Sequence, residues 1–331
     1  MLLNACRVFR EQKAVVARLV EMPVDELTPG DVVIRAEWSG INFKDALGVT
    51  GRAPIYKRFP INAGIDVAGR VESSSDARFR AGDPVLVNGM GLGETHDGGL
   101  AEVVRVPAEW VVPLPDGLDL RSAMTLGTAG FTAALALHRM EANGQAPDKG
   151  PIVVTGATGG VGSAAVSMLA RRGYRVIAVT GRLEHENYLR GLGAHEVATP
   201  EQLRLGSRPL EAVRFGGAID NVGGAVLAGL IPHVALWGNV AAIGNAAGPE
   251  FQATVYPFIL RGVSLLGASS ANCPMAMRGD IWTRLGHDLK PPALEQIVNR
   301  TVRLAEVIEA CGTLMNRTAL GRVLVDCRAT S

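Results

Sequence analysis

The rhythm of apolar positions changes near residue 150. Before it, short apolar runs stand between glycine and proline punctuation, and the segments 32–38, 65–71, 84–87, 101–106 and 110–112 read as strands. A stretch over 120–140 has helical spacing and leads out of this β-rich part. Beyond it, short runs that are almost wholly apolar alternate with longer helical segments. The pattern predicts strands at 152–155, 175–179, 196–198, 217–221, 240–243 and 263–267, with helices at 163–172, 184–192 and 225–234 between them. Such strands are buried on both faces, as helices packed on the two sides of a parallel sheet require. The tail reads as a helix over 304–311 and a strand over 321–325. The expectation is an α/β protein. A doubly wound parallel sheet occupies 125–268, and a β-rich domain is built from 1–124 and rejoined by 269–331.

Composition narrows the class. At 331 residues the chain has room for two sizeable cores, and 47% hydrophobic residues with 40 glycines suit a turn-rich α/β protein. A net charge of +1, with basic residues spread along the chain, gives no footprint for nucleic acid or a membrane surface. No apolar run reaches the length of a membrane span, and the first residues lack the layout of a secretory signal. The cysteines, Cys6, Cys273, Cys311 and Cys327, are scattered with no C-x-x-C pair. That argues against a zinc knuckle or a disulfide framework and points to a reducing, cytoplasmic setting.

Candidate chemistry begins at 152–162, where a β-branched run turns through glycines straight into an apolar helix pattern. Thr158, Gly159, Gly160, Val161 and Gly162 are therefore candidate contacts to a dinucleotide. Glycine lets the backbone approach a pyrophosphate, and the first N–H groups of a helix carry partial positive charge toward it. The spacing is G-x-x-G-x-x-G rather than the commoner G-x-G-x-x-G. The next strand ends in Thr180-Gly181-Arg182, where an NAD site would carry an acid for the ribose hydroxyls. No acid stands there. Arg182, with Thr180 and Gly181, suits a ribose phosphate, so the expected cofactor is NADPH rather than NADH; the plain alternative is a solvated loop arginine.

Three turns in order, Gly64-Ile65-Asp66-Val67-Ala68-Gly69, Gly82-Asp83-Pro84-Val85 and Gly98-Gly99-Leu100-Ala101-Glu102, precede that fingerprint. Together they resemble the medium-chain dehydrogenase/reductase superfamily over nearly the whole chain. The resemblance implies a GroES-like β-rich catalytic domain beside a Rossmann domain. Residues 38–47, 127–133 and 256–263 resemble the branch first labelled quinone oxidoreductases, whose best-characterised members are NADPH-dependent acryloyl-CoA reductases. Phe43 departs from that branch, where relatives often carry Tyr; its ring can still stack on cofactor. Zinc members carry His near Gly64 and Cys near position 42, whereas Ile65 and Asn42 stand here. No metal is expected.

Without zinc, hydride delivery to an activated C=C is the natural reaction. The implied activity is NADPH-dependent reduction of acryloyl-CoA, or a similar short thioester, to the saturated acyl-CoA. Asn42, Lys44 and Asp45 are the catalytic candidates: an amide donor, a cation for the developing enolate, and a carboxylate that orders hydrogen bonds. Equally, Lys44 and Asp45 could pair on a surface turn. Tyr56 and the basic Lys57-Arg58 are placed at a substrate rim suited to coenzyme A phosphates, or on a solvated face. Arg261 anchors substrate, cofactor or the domain junction. Thr128 contacts nicotinamide or caps its helix. Asn221 and Ile243 end predicted strands at the sheet's carboxyl edge and Ser269 follows another, and Asn316 and Arg322 in the tail are placed over the cofactor. Two other readings stay open: an NADPH:quinone or 2-alkenal oxidoreductase, and a non-catalytic NADPH-binding sensor. A homodimer through the strand at 263–267 is implied by the resemblance; the alternative is that this strand is buried within one chain.

Overall fold

The computed structural model describes residues 1–316 and 320–328. It divides into two compact units. The first comprises Met1–Thr128, Ala271–Gly286 and the described part of Ile297–Ser331; the second comprises Ala129–Ser270 and His287–Gln296.

The first unit opens with a hairpin that the apolar pattern alone did not predict, β1 (Leu2–Glu11) and β2 (Ala14–Pro23). Its residues alternate with many charges because β2 is exposed along most of its length. Then come β3 (Val32–Ile41), α1 (Phe43–Val49), β4 (Ile61–Asn62), β5 (Asp66–Ser74), β6 (Pro84–Asn88), β7 (Val103–Val106) and β8 (Val112–Pro113). Helix α2 (Leu120–Ala142) follows, broken at Gly127, whose φ of 49° and ψ of −154° are not helical. The division between the units falls one residue later, just after Thr128.

The second unit carries β9 (Ile152–Thr155), α3 (Gly160–Arg171), β10 (Val176–Val179), α4 (Glu186–Gly191), β11 (Glu196–Ala198) and β12 (Phe215–Asp220). It continues through α5 (Gly224–Leu230), β13 (Val234–Ala242), α6 (Tyr256–Arg261) and β14 (Ser264–Gly267). These strands form one sheet in the order β11-β10-β9-β12-β13-β14, with every neighbouring pair parallel. That is the Rossmann order, and its switch point lies between β9 and β10 on one side and β12 on the other. All four residues of both β9 and β10 are buried, which is why they read as unbroken apolar runs.

The chain returns to the first unit with α7 (Met275–Gly286), β15 (Val298–Arg303), α8 (Val307–Met315) and β16 (Arg322–Asp326). Strand β16 pairs antiparallel with β3, so the tail closes a seven-stranded, mainly antiparallel sheet of order β15-β16-β3-β5-β6-β8, with β7 on β3. The core of this unit gathers Val8, Ile34, Val67, Val87, Val104 and Val325, all with no measurable exposure.

Candidate active site

In the second unit, β9 ends at Thr155 and the chain enters α3 through the glycine turn. Gly156 has φ of +57°, a conformation that favours glycine. A Cβ on Gly162 would lie 2.3 Å from the Gly156 carbonyl oxygen, so only glycine lets the first turn of α3 fold back on the strand end. Gly159 caps α3 with its backbone alone, and Gly160 and Val161 form the first helical turn. The turn thus presents backbone N–H groups rather than side chains at a helix start, which suits a phosphate.

Beside this turn the end of β10 converges. Thr158 and Thr180 are buried, with hydroxyls 3.5 Å apart. Arg182 donates from Nη2 to the Thr158 hydroxyl at 2.9 Å, and its backbone N–H donates to the Thr180 hydroxyl at 3.1 Å. Arg182 is therefore folded onto the glycine turn, not splayed into solvent, and exposed Gly181 leaves room beside it. Asn221 lies at the neighbouring strand end, where its side-chain amide donates to the Thr155 carbonyl at 2.8 Å. Just before it, Asp220 accepts from the Thr155 hydroxyl at 2.6 Å and the Gly223 N–H at 2.7 Å, and burial pushes its carboxyl above the ordinary carboxylate range. Ile243 donates its N–H to the Asp220 carbonyl at 2.9 Å. Ser269 is exposed beyond β14. Arg261 is engaged with the backbone of its own unit. It donates to the Pro232 carbonyl at 2.8 Å and the Glu211 carbonyl at 2.6 Å, tying the end of α6 to the segments before β13 and β12.

In the first unit, a buried polar network forms around Asp66. Its carboxylate accepts from the Thr128 N–H at 3.0 Å, the Thr128 hydroxyl at 2.6 Å and the Asn42 amide at 2.7 Å. Asp66 thereby holds both the backbone and the hydroxyl of Thr128. A Cβ on Gly127 would lie 2.6 Å from the Asp66 carboxylate and 2.5 Å from Arg322, so the kink residue has to be glycine. Arg322 is buried, not poised over a cofactor. Its Nη1 donates to the Asn42 side-chain oxygen at 2.8 Å and to the Ile41 carbonyl at 3.3 Å. Nη2 lies 3.4 Å from the Asp66 carboxylate and Nε donates to the Thr125 carbonyl. Burial pushes this guanidinium below its ordinary value, and the Asp66 charge opposes that shift. Asn42 thus has its oxygen fixed on Arg322 and one amide hydrogen fixed on Asp66.

Asp45 is wholly inside. Its two oxygens accept from the Asn42 N–H at 2.8 Å and the Ile65 N–H at 3.0 Å, and burial raises its carboxyl to about 7. The surface pairing of Lys44 with Asp45 does not occur: Lys44, partly exposed, pairs with Glu94 instead. Phe43 is 45% exposed on the first turn of α1, a large ring left in the open beside Asn42. Tyr56, placed at a rim by sequence, is buried; its ring fills the space over Gly48, and its hydroxyl has no hydrogen-bond partner among the described residues. Arg58 is exposed, and Asn316 is exposed at the end of α8. Sequence reasoning missed Asp66, although a lone acid inside an apolar glycine-bounded run was the available signal.

Residues 28–116 match the alcohol dehydrogenase GroES-like domain, and residues 160–283 match the zinc-binding dehydrogenase domain. YhfP of Bacillus subtilis, which carries a quinone oxidoreductase name, is 48% identical over 302 residues, 91% of this chain and 92% of that one. The chain belongs to the medium-chain dehydrogenase/reductase family. Acrylyl-CoA reductase AcuI of Ruegeria pomeroyi is 42% identical over 314 residues, 95% of each chain. The solved yhdH oxidoreductase from Salmonella enterica in complex with NADP superposes with a TM-score of 0.94 at 42% identity, over 98% of this chain and 99% of that one. The Bacillus subtilis yhfP structure with NAD bound gives a TM-score of 0.95 at 45% identity, over the same shares. The protein is an oxidoreductase of this family and uses a nicotinamide cofactor.

The zinc in one matched domain's description does not fit these residues. Asn42, which the resemblance places at a zinc-ligand position, is committed to Asp66 and Arg322. The buried guanidinium already supplies the positive charge that faces Asp66. Among the described residues, no group of three or more His, Cys, Asp and Glu is arranged to hold a metal. Nor is any described helix long and apolar enough to cross a membrane.

Proposed function

We propose that this protein uses NADPH to reduce the C=C bond of a short α,β-unsaturated acyl-CoA, acryloyl-CoA to propionyl-CoA. The observation that carries the cofactor preference is the Thr158, Thr180 and Arg182 cluster. A guanidinium and two hydroxyls meet at the end of β10, with no carboxylate among them, where a ribose phosphate needs donors and an acid would repel it. The glycine turn at Gly159 to Gly162 would hold the pyrophosphate, with Asn221, Ile243 and Ser269 along the sheet edge.

In such a reduction the β-carbon receives the hydride that a reduced nicotinamide carries, and the α-carbon receives a proton. The thioester oxygen gains negative charge between those events and needs donors that do not have to reorganise. Asn42 suits that role because Asp66 and Arg322 hold its amide in one orientation, leaving its second amide hydrogen as the donor. Asp45 fixes the backbone of the same residue through its N–H. Lys44, held by Glu94, adds a cation one helical step away and is our candidate for passing the proton inward. Phe43 contributes an apolar face and no hydroxyl, so the proton comes from another group. Thr128, braced on Asp66, is assigned to the nicotinamide.

A second reading, an NADPH:quinone or 2-alkenal oxidoreductase, is favoured by the quinone name of YhfP. NADPH oxidation followed by absorbance, with acryloyl-CoA and a simple quinone in parallel and then with NADH, separates the two. Fast turnover of the thioester with NADPH is expected. Preference for the quinone would move the protein to the second reading.

A further inference from the structure

Several exposed arginines of this protein are paired: Arg18 sits on Glu11, Arg35 on Glu72, Arg78 on Asp76, Arg190 on Glu186 and Arg328 on Asp326. One part of the first unit gathers cations without such partners. Residues 51–60, Gly-Arg-Ala-Pro-Ile-Tyr-Lys-Arg-Phe-Pro, hold three cations and no acid. The fold sets this loop against the tip of the β1–β2 hairpin, which adds Arg10 and Lys13. The Gly51 Cβ position lies 3.1 Å from Val15, the register partner of Arg10, and the Arg10 guanidinium stacks over the Phe59 ring at 4.5 Å. Among the described residues, no carboxylate pairs with Arg10, Lys13, Arg52, Lys57 or Arg58, and all five are exposed.

This cationic face is continuous with the α1 end of the candidate site. The Lys57 N–H donates to the Glu94 carbonyl at 2.8 Å, and the Glu94 carboxylate holds Lys44, two residues from Asn42. Like charges gathered on one loop and the hairpin tip beside it repel, and only Arg10 gains a contact in return, on the Phe59 ring. A polyanionic ligand would remove that repulsion. A coenzyme A thioester presents such an anion: one end carries the reactive acyl group, the other carries phosphates, and a flexible arm separates them.

We infer that the Arg10, Lys13, Arg52, Lys57 and Arg58 face binds the phosphates of the coenzyme A substrate while α1 addresses the acyl end. This rests on the thioester reading above and deepens it. The buried Tyr56 then serves as the packing anchor of the loop, its ring over Gly48 holding Arg52 and Lys57-Arg58 on either side of a fixed point. The attraction is between exposed charges, so it weakens as salt is added.

The test compares Lys57→Glu/Arg58→Glu with the unchanged protein, by calorimetric titration of coenzyme A and by turnover of acryloyl-CoA and phosphate-free acryloyl-pantetheine. Coenzyme A should bind the variant about tenfold more weakly. The ratio of KM for acryloyl-CoA to KM for acryloyl-pantetheine should rise by a similar factor, and that ratio in the unchanged protein should climb with ionic strength. The inference is overturned if the unchanged protein binds coenzyme A no better than pantetheine, or if the variant leaves both the affinity and the KM ratio where they were. Failure of the thioester reading looks different: coenzyme A binding still depends on Lys57 and Arg58, yet neither thioester is reduced. Lys57→Arg/Arg58→Lys, which keeps the charge, should retain the affinity; loss there as well would trace the effect to loop structure and overturn the inference.

Discussion

At the scale of single residues, the informative contrast is between Arg182 and Arg322. Both lie in strand-end positions that sequence assigned to the cofactor, but one is half-exposed on hydroxyls and the other is buried on an acid. In the proposed NADPH site Arg182 is the donor to the ribose phosphate. Arg182→Ala should weaken NADPH binding about 10- to 100-fold, the scale of a charged hydrogen bond, and leave NADH binding near its original value. Equal losses in a fluorescence titration of both dinucleotides would remove the phosphate assignment. Asp45 gives a pH signature of a different kind. Its carboxyl is raised from an ordinary 3.8 to about 7, chiefly because burial disfavours the charge. Between those values the folded protein holds a proton that the unfolded chain has released. The contribution of Asp45 to stability is therefore full at the acid end, falls as pH rises through that window, and is flat above it. Asp45→Asn has no such proton, so urea unfolding at about pH 5 and about pH 8 should show a smaller loss on going alkaline than in the unchanged protein. Parallel pH profiles for the two proteins would contradict the raised value. The thiols behave in the same sense: burial pushes Cys6 up to about 12 and raises Cys311 and Cys327, which leaves them unreactive near neutrality.

At the scale of elements, the sequence was most legible where both faces of a strand are buried. The runs at 152–155, 175–179 and 240–243 lie within a residue or so of β9, β10 and the end of β13, because a parallel sheet covered by helices leaves apolar side chains as the only choice. The glycine turn was legible for a related reason: the clash awaiting a Cβ at Gly162 is local, so its cause lies within a few residues of chain. Elements with one wet face were harder to read. Strand β2 has only one buried residue, Met22, and helix α7 mixes Arg278 and Trp282, both fully buried, with exposed polar positions. Arg278 is in the core because it donates to the Asn88 carbonyl at 2.7 Å and to its side-chain oxygen at 2.9 Å, partners 190 residues away that no local pattern reports. The same holds for the candidate site. Asn42, Asp45 and Thr128 were singled out as separate residues, but what unites them is Asp66 and Arg322, brought together when β16 closes on β3. Tyr56 is buried and Arg261 is engaged with backbone, which sequence does not report, because an aromatic or a cation beside a motif looks the same whether it faces ligand or backbone.

At the scale of the whole molecule, the remaining question is what covers the outer edge of the nucleotide sheet. Among the described residues, strand β14 is hydrogen-bonded to β13 on one side only, and its exposure alternates, with Leu265 turned outward. The alternative of a strand buried within one chain is therefore corrected. Next to it, Trp237 is 69% exposed and its backbone takes a φ of +57°, while its ring lies over Gly262 at the end of α6. Ile259 and Leu260 on that helix are 68% and 57% exposed. An open strand edge beside a face of large apolar side chains is a liability for a single chain and an asset for a pair. A second copy related by a twofold axis presents the same edge and the same apolar face in return, so one surface satisfies both partners. Trp237 would then be the anchor, since a large aromatic ring this exposed gains most from being covered. Sedimentation of the unchanged protein should give twice the mass of one chain, and Trp237→Asp/Ile259→Asp should sediment as one chain with its circular dichroism preserved. A single-chain mass for the unchanged protein would leave this face to another partner, and an undisturbed dimer in the double variant would move the interface elsewhere on the molecule.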